Sequence, residues 1–527
     1  METASVAPPP PRRRWTWIVF AACLALSLVF QLTRGAWNSD LGGDPDEAAH
    51  AVTSLMVRDF LAGGWRQPPL RFAQQYYADF PKVALGHYPP GYYIVAGLWL
   101  LPSASVHSLL LLQAVLSAVL GSLIFRIASK FASLPASIMA GVLMTALPLS
   151  LKQVQLVMAD TLVTILCLWA TIAWAAYLNH PSKRRALEFG LIAAAAILTK
   201  GSALGLCVLP PLTVLFTRRW KLLKEPSWWL SALPVVVLAG PWMVYSARIT
   251  AEGMEHIPMR QFIPEAVAFY ADALPHVLGW VLTLLSIAGL IRLGIVIVRA
   301  PRSQAHPAAA FCALATGMCL IMLLVPAGLA TRYMVPVISV LLVAAALAAD
   351  WIAGTFPKFR PAAVLVIMAT GFATVADWPE KRVGGFGEAV TRAGIPTSTA
   401  EASRWLTSSD ARGEGAIIAA AAFGCPQRSP SPLQIYRGSK ELASSDWMGR
   451  GYAPTFTDEA RLLDHLDELK IQRVFLDLSA GEARRKPHEQ RLEQALRLAP
   501  DRWVLDFRQA ISRARGSDGN LLVYKRL

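Results

Sequence analysis

The sequence predicts an α-helical polytopic membrane protein followed by a small soluble α/β domain. Three observations carry that prediction. The chain has 527 residues, 54% of them hydrophobic and only 16% charged, with a mean hydropathy of +0.42, whereas soluble domains carry about 25% charged residues. Apolar runs of roughly 17 to 23 residues, long enough to cross a bilayer, recur from Trp15 to Ala376. Beyond them charge becomes dense and no spanning run occurs, which marks 377–527 as a separate domain after a membrane domain of 1–376.

The basic clusters order the crossings. They are Arg12–Arg14, Arg126 with Lys130, Lys183–Arg185, Arg218–Lys224, Arg299 with Arg302, and Lys358 with Arg360. Placing all of them in the cytoplasm accounts for much of the net charge of +15 without invoking nucleic acid. The predicted spans are then 15–32, 106–125, 132–150, 156–178, 187–199, 202–217, 228–247, 275–298, 308–326, 333–349 and 361–376, about eleven in all. The N-terminus is inside and the C-terminal domain outside. The first run is long and lacks a small-residue cleavage site, so it is expected to be retained as a span. Pro89–Leu101 is apolar for only about 13 residues and is expected at the outer interface. Lys200 falls at an outer turn between two short spans. A long first outer loop, 33–105, carries an amphipathic stretch over 46–62, and a second outer loop covers 248–274.

In the tail, Gly415–Phe423, Arg473–Leu478, Trp503–Phe507 and Leu521–Tyr524 read as strands. Asp458–Leu469 and Glu489–Leu498 read as helices. Gly384–Gly387 suits a hinge or linker. Five cysteines lie in apolar runs and Cys425 is alone in the tail, which therefore has no internal disulfide.

Polar residues at the outer span ends are the candidates for chemistry. Asp44, Asp46, Glu47 and His50 follow the first span. Asp44 suits an N-cap for a helix starting at Pro45, with Asp46 and His50 on one face. The group fits either a helix start with a solvated histidine or a catalytic or metal-binding acidic site. His87, Tyr88 and Tyr92 flank Pro89-Pro90-Gly91 and fit an aromatic interface anchor or a ligand loop. Lys200 and Arg332 suit either lipid headgroups or a ligand phosphate. Asp160 opens a span, and His256 and Arg260 lie in the second outer loop.

The order of these elements resembles the GT-C superfamily of polyprenyl-phosphate-sugar-dependent glycosyltransferases, especially bacterial aminoarabinose transferases and protein O-mannosyltransferases. The resemblance covers roughly residues 10–350 and rests on several short motifs. They are Asp46-Glu47 after the first span, Pro89 to Tyr93, Asp160, Leu198 to Gly201, Pro241-Trp242, and Arg332 to Pro336. His87-Tyr88 stands where aminoarabinose transferases have Glu-Lys, and Ala49 replaces their aromatic. The resemblance implies inverting sugar transfer from an undecaprenyl-phosphate-linked donor to an envelope glycan, lipid or protein acceptor at the periplasmic face of a bacterial inner membrane. It implies Asp46 as base or orienting carboxylate, with Glu47, Asp44 and Asp160 assisting. Lys200, Arg332 and Tyr333 would meet the donor phosphate, and His50, His87, Tyr88, Tyr92, His256 and Arg260 would line the loops around donor and acceptor. His87 and His256 fall where that family's metal ligands lie, which implies a candidate site for Zn, Mg or Mn. No nucleotide-binding P-loop is present. Rival readings are a lipid-linked glycan flippase, a glycan ligase or polymerase, and a membrane anchor for a binding domain. The absence of an internal repeat weighs against a transporter.

Overall fold

The computed structural model describes residues 13–84, 86–375, 378–446, 449–480, 484–514 and 518–527. Arg12 of the first basic cluster and the expected domain boundary at 376/377 lie outside the described residues.

The chain is a multi-pass membrane protein. Among the described residues seven helices are long and apolar enough to cross a bilayer: Arg13–Thr33, Val106–Ala128, Asp160–Asn179, Pro226–Glu252, Trp280–Arg299, Arg302–Leu324 and Thr331–Ala353. An eighth is a pair, Leu134–Ala146 and Pro148–Val154, bent by 56°. Pro148 causes the break, since a proline lacks the amide that would continue the ladder. The other three expected spans correspond to short helical segments: Lys183–Thr199, Gly201–Thr217 and Arg360–Ala373. The expectation of about eleven crossings therefore exceeds the seven or eight helices that meet the length criterion. The helix Val335–Ala353 is apolar all round and buried almost throughout, as a bundle's central helix should be. Val236, Val244 and Val298 are exposed on the outside of the bundle, where lipid would cover them.

The segment 33–105 folds into short helices at one end of the bundle. These are Glu47–Ala62, Pro69–Asp79 and Gly91–Trp99. At nine residues, Gly91–Trp99 spans only ~14 Å and cannot cross the hydrocarbon core.

Among its described residues the tail has seven strands: β1 Ser403–Ser408, β2 Leu433–Arg437, β3 Ala443–Ser444, β4 Ala453–Pro454, β5 Arg473–Asp477, β6 Trp503–Ile511 and β7 Gly519–Arg526. The main sheet runs β2-β1-β5-β7-β6, with β1 parallel to β2 and β5, and β7 antiparallel to β5 and β6. Helices Glu459–Glu468 and Pro487–Leu498 lie where the sequence put them. One expected strand is wrong. Gly415–Phe423 belongs to a helix, Ala411–Gly424, whose N-cap Asp410 accepts the amides of Arg412 and Gly413. An unbroken apolar run has no strand period, and its alanines favour helix. The true strands β1 and β2 were not predicted.

Gly384–Gly387 is no free linker. Gly384 and Ser512 exchange both backbone hydrogen bonds, at 3.1 Å each. Gly385 has φ 86°, and a Cβ there would sit 2.1 Å from the Ala510 carbonyl, so only glycine fits. Asp40 of the first loop accepts the amides of Phe386 and Gly387 at 2.9 and 3.1 Å.

Two ion pairs fasten the tail to the helices beside the membrane domain. Arg428 grips Asp59 through two nitrogens, at 2.6 and 3.1 Å. Lys381 donates to Glu47 at 2.7 Å, with both side chains buried. Burial pushes the Glu47 carboxyl up, against the pull of Lys381. Breaking such a buried pair strands one charge without a partner. Lys381→Met should therefore lower stability by about 3–5 kcal/mol. The double variant Glu47→Leu/Lys381→Met should recover most of that loss in thermal unfolding of the detergent-solubilised chain. Equal midpoints for Lys381→Met and the native chain would contradict the pairing.

Candidate active site

The site is assembled by three helix ends and one short helix. Gly91 sits against the end of helix Lys183–Thr199, where a Cβ would come within 2.7 Å of the Leu198 carbonyl. Only glycine permits this approach, and it sets the Pro-Pro-Gly-Tyr-Tyr segment beside Lys200. Lys200 leaves that helix in extended conformation, with φ −158°. Asp160 opens helix Asp160–Asn179, where a carboxylate also suits the helix dipole. Arg332 lies in the 3-10 turn Thr331–Met334, whose continuation has Pro336 in its first turn.

Helix Glu47–Ala62 begins two residues later than expected, and Asp44 is not its N-cap. Instead Asp44 accepts the Asp46 amide at 3.1 Å and one Arg332 nitrogen at 2.9 Å. The second Arg332 nitrogen binds Asp46 at 2.8 Å. A single guanidinium thus spans two carboxylates, a use its planar fork suits. Tyr88 also donates to Asp46, at 2.8 Å. Burial alone would raise the Asp46 pKa, but Arg332, with His50 and the Tyr88 hydroxyl, holds it below the ordinary carboxylate value.

Lys200 donates to Asp160 at 2.6 Å in a nearly buried pair. The Tyr333 ring lies under both cations, 5.0 Å from Lys200 and 5.6 Å from Arg332. The other Asp160 oxygen is buried and has no hydrogen-bond partner. His50 is buried, not solvated, and lies within the electrostatic reach of Asp46, Lys200, Asp160 and Arg332. Burial pushes its pKa down to about 4, so it is neutral at pH 7. Its Nδ1 pairs with the Tyr93 hydroxyl at 3.0 Å, and its Nε2 is buried without a partner. The rings of Tyr88 and Tyr92 pack on it, at 4.7 and 5.6 Å.

The structure thus brings together Asp44, Asp46, Asp160, Lys200, Arg332, Tyr333, His50 and Tyr88. Tyr92 supports the group from the bundle core, accepting from Gln113 at 2.8 Å. Glu47 is turned away into its pair with Lys381. His256 is exposed on its loop, and Arg260 is exposed in the first turn of helix Met259–Leu278. His87 is half-buried and lines a cavity with Asp46. Among the described residues no group of three or more His, Cys, Asp and Glu side chains could hold a metal ion. The residues present therefore do not fit the metal that the pair His87 and His256 suggested.

That cavity, about 650 Å³, lies between the first-loop helices and the α/β domain. Its membrane-side wall includes Asp46, Ala49, Lys82 and Tyr88, and its far wall includes Asp410, Arg437, Asp477 and His488. The far wall forms at the carboxyl ends of parallel strands β1, β2 and β5, where open α/β sheets commonly bind ligands. Lys82 was missed by sequence reasoning. It is buried, donates to the Ala411 carbonyl at 3.1 Å, and acts electrostatically on Asp46. Burial, then the nearby Arg437, bring its pKa down to about 8. Its place after Pro81, in the same long loop as the acidic motif, was the signal the sequence offered.

The chain thus has helices that cross a bilayer, first-loop helices beside them and this cluster at their junction. No protein-family model matches the sequence, and no curated protein matches it. Solved structures do match. One is ArnT from Cupriavidus metallidurans in the apo state, with TM-score 0.54 and 16% identity, covering 97% of this chain and 98% of that one. Another is the oligosaccharyltransferase of Archaeoglobus fulgidus in the apo form, with TM-score 0.55 and 12% identity, covering 90% of this chain and 71% of that one. The archaeal enzyme, AglB, also matches in complex with an inhibitory peptide and a dolichol-phosphate, at TM-score 0.52, 13% identity, and 96% and 74% coverage. These neighbours are GT-C glycosyltransferases, and this chain has their fold.

The Arg332 contact makes a titration prediction. Without the guanidinium, burial becomes the dominant influence on Asp46 and its pKa rises. Difference infrared spectra of Arg332→Gln should show a protonated-carboxyl band appearing at higher pH than in the native chain. Asp46→Asn in the same background should remove the band. An unchanged titration would mean that Arg332 does not control this carboxylate.

Proposed function

We propose that this protein is a membrane glycosyltransferase that moves a sugar from a polyprenyl-phosphate donor to an acceptor hydroxyl. The observation that carries the reading is the convergence of Asp46, Asp44 and Asp160 with Arg332 and Lys200 beside a cavity at the membrane boundary. The fold is consistent with it, and one neighbour of the same fold is bound to a dolichol-phosphate.

The reaction requires a leaving phosphate to be stabilised and an acceptor proton to be taken up. Arg332 and Lys200 are the cations available for the phosphate, and Tyr333 holds them together. Asp46, ionised at neutral pH, can accept the hydroxyl proton or orient the hydroxyl for in-line attack. Such an attack inverts the anomeric carbon. A donor phosphate would compete with Asp44 and Asp46 for Arg332. Donor arrival would thereby loosen Asp46 and raise its basicity at the moment it is needed. Asp160 keeps Lys200 in place. Glu47 serves the architecture through Lys381. The donor lipid is undecaprenyl-linked in this reading, and the cavity faces the periplasm of a bacterial inner membrane. The positive-inside pattern of the basic clusters supports that orientation.

Purified protein given a radiolabelled polyprenyl-phosphate sugar and a membrane extract should release the lipid phosphate. Asp46→Asn should cut turnover by about 10²–10⁴-fold, the usual contribution of a general base, and leave the unfolding midpoint within a few degrees. Lys200→Gln should raise the KM for the donor. Native-level turnover by Asp46→Asn would remove this residue from the chemistry.

A further inference from the structure

The cavity wall opposite Asp46 has an unused set of hydrogen-bond donors. His488 is 2% exposed and lines the cavity. Its backbone amide donates to the Tyr452 hydroxyl at 3.2 Å. That hydroxyl lies 3.0 Å from His488 Nδ1 and has one proton to give. In the tautomer in which that proton goes to Nδ1, Nδ1 is the acceptor. Burial pushes His488 down to about 4, so the imidazole is neutral, and in this tautomer its own proton is on Nε2. Nε2 is buried and has no partner. In that tautomer it is a buried donor awaiting an acceptor atom, and leaving such a group unmet is destabilising.

The charges around it are asymmetric. Asp410 and Asp477 are both engaged by Arg513. Asp46 is held by Arg332, Asp446 by Arg450, and Glu489 accepts the Lys486 amide. Glu252, on the exposed rim, is the exception among the acids of the lining. Three lysines of the lining make no direct salt bridge to a carboxylate among the described residues. Lys82 meets only the Ala411 carbonyl at 3.1 Å, and Lys440 meets the Ser445 carbonyl at 3.2 Å. Lys486 stands 5.3 Å from the Tyr452 ring.

We propose that His488, with Lys82, Lys440 and Lys486, forms an oxyanion-binding subsite for a phosphate or carboxylate group carried by the acceptor. The inference rests on the reading that the acceptor occupies this cavity. An anionic group anchored on the α/β wall leaves the acceptor's hydroxyl free to face Asp46 across about 650 Å³, a volume within the range of small-ligand sites. The carboxyl ends of β1, β2 and β5 supply a rigid floor, since Asp477 is satisfied on both oxygens by Ser409, Ser479 and Arg513.

The test is anion binding by the detergent-solubilised full chain, titrated with inorganic phosphate and separately with acetate, each against chloride, by isothermal calorimetry. The native protein should bind at least one of the two. Saturation by phosphate points to a phosphoester on the acceptor, and saturation by acetate alone points to a carboxylate. His488→Phe and Lys82→Met should each weaken that binding at least tenfold. The rim variant Lys440→Gln/Lys486→Gln removes only exposed charges, so it tests the same point should a buried variant not fold. Binding of neither anion by the native chain, or native affinity in the folded variants, overturns the proposal. Donor turnover is read in a separate assay, so its loss and the loss of anion binding are independent outcomes.

Discussion

One guanidinium organises the site. Arg332 binds Asp44 and Asp46 at once and lies within electrostatic reach of Asp160. Three carboxylates this close would repel one another without it. Lys200 performs the same service for Asp160 from the other side, and Tyr333 spans the two cations. Everything else at the junction keeps these five charged groups in register. Gly91 lets the tyrosine segment close on the Lys200 turn, and Tyr88 and His50 fill the space behind Asp46.

The α/β domain completes the site instead of merely following the membrane domain. Its helix Ala411–Gly424 carries the carbonyl that holds Lys82, and its strand ends form the far wall of the cavity. Glu47, in the acidic motif itself, is one of the links between the two domains, through Lys381. Adjacent acids therefore have divided roles. Asp46 faces the cavity, and Glu47 faces the protein.

The division explains how much of the molecule was legible in the sequence. Span positions could be read because the bilayer demands long apolar runs, and each predicted span meets a helical segment. The number that cross could not be settled by charge, since 183–199, 201–217 and 360–373 are short. Asp46, Lys200 and Arg332 were legible because charges at the ends of apolar runs are costly unless used. The partnerships were not. Lys381 is 334 residues from Glu47 and Arg332 is 286 from Asp46, separations that no local pattern encodes. The burial of His50 was equally hidden, because it depends on Tyr88, Tyr92 and Tyr93 folding back over it. Asp44 fitted a helix cap by residue type and was instead taken by Arg332. In the tail, the alanine-rich Gly415–Phe423 lacked any period to distinguish helix from strand. The short strands β1 and β2 were masked by the polar residues they carry, Ser403, Arg404, Thr407 and Ser408 in β1 and Gln434 and Arg437 in β2.

The central claim is that these carboxylates and cations form one donor site at the end of the bundle that carries the α/β domain. The most direct measurement is a cryo-electron microscopy structure of the full chain in lipid with a polyprenyl phosphate bound. The account predicts phosphate density within hydrogen-bonding distance of Arg332 and Lys200, with the Arg332–Asp46 contact lengthened. Density for the phosphate at the opposite end of the bundle, or away from both cations, would contradict it.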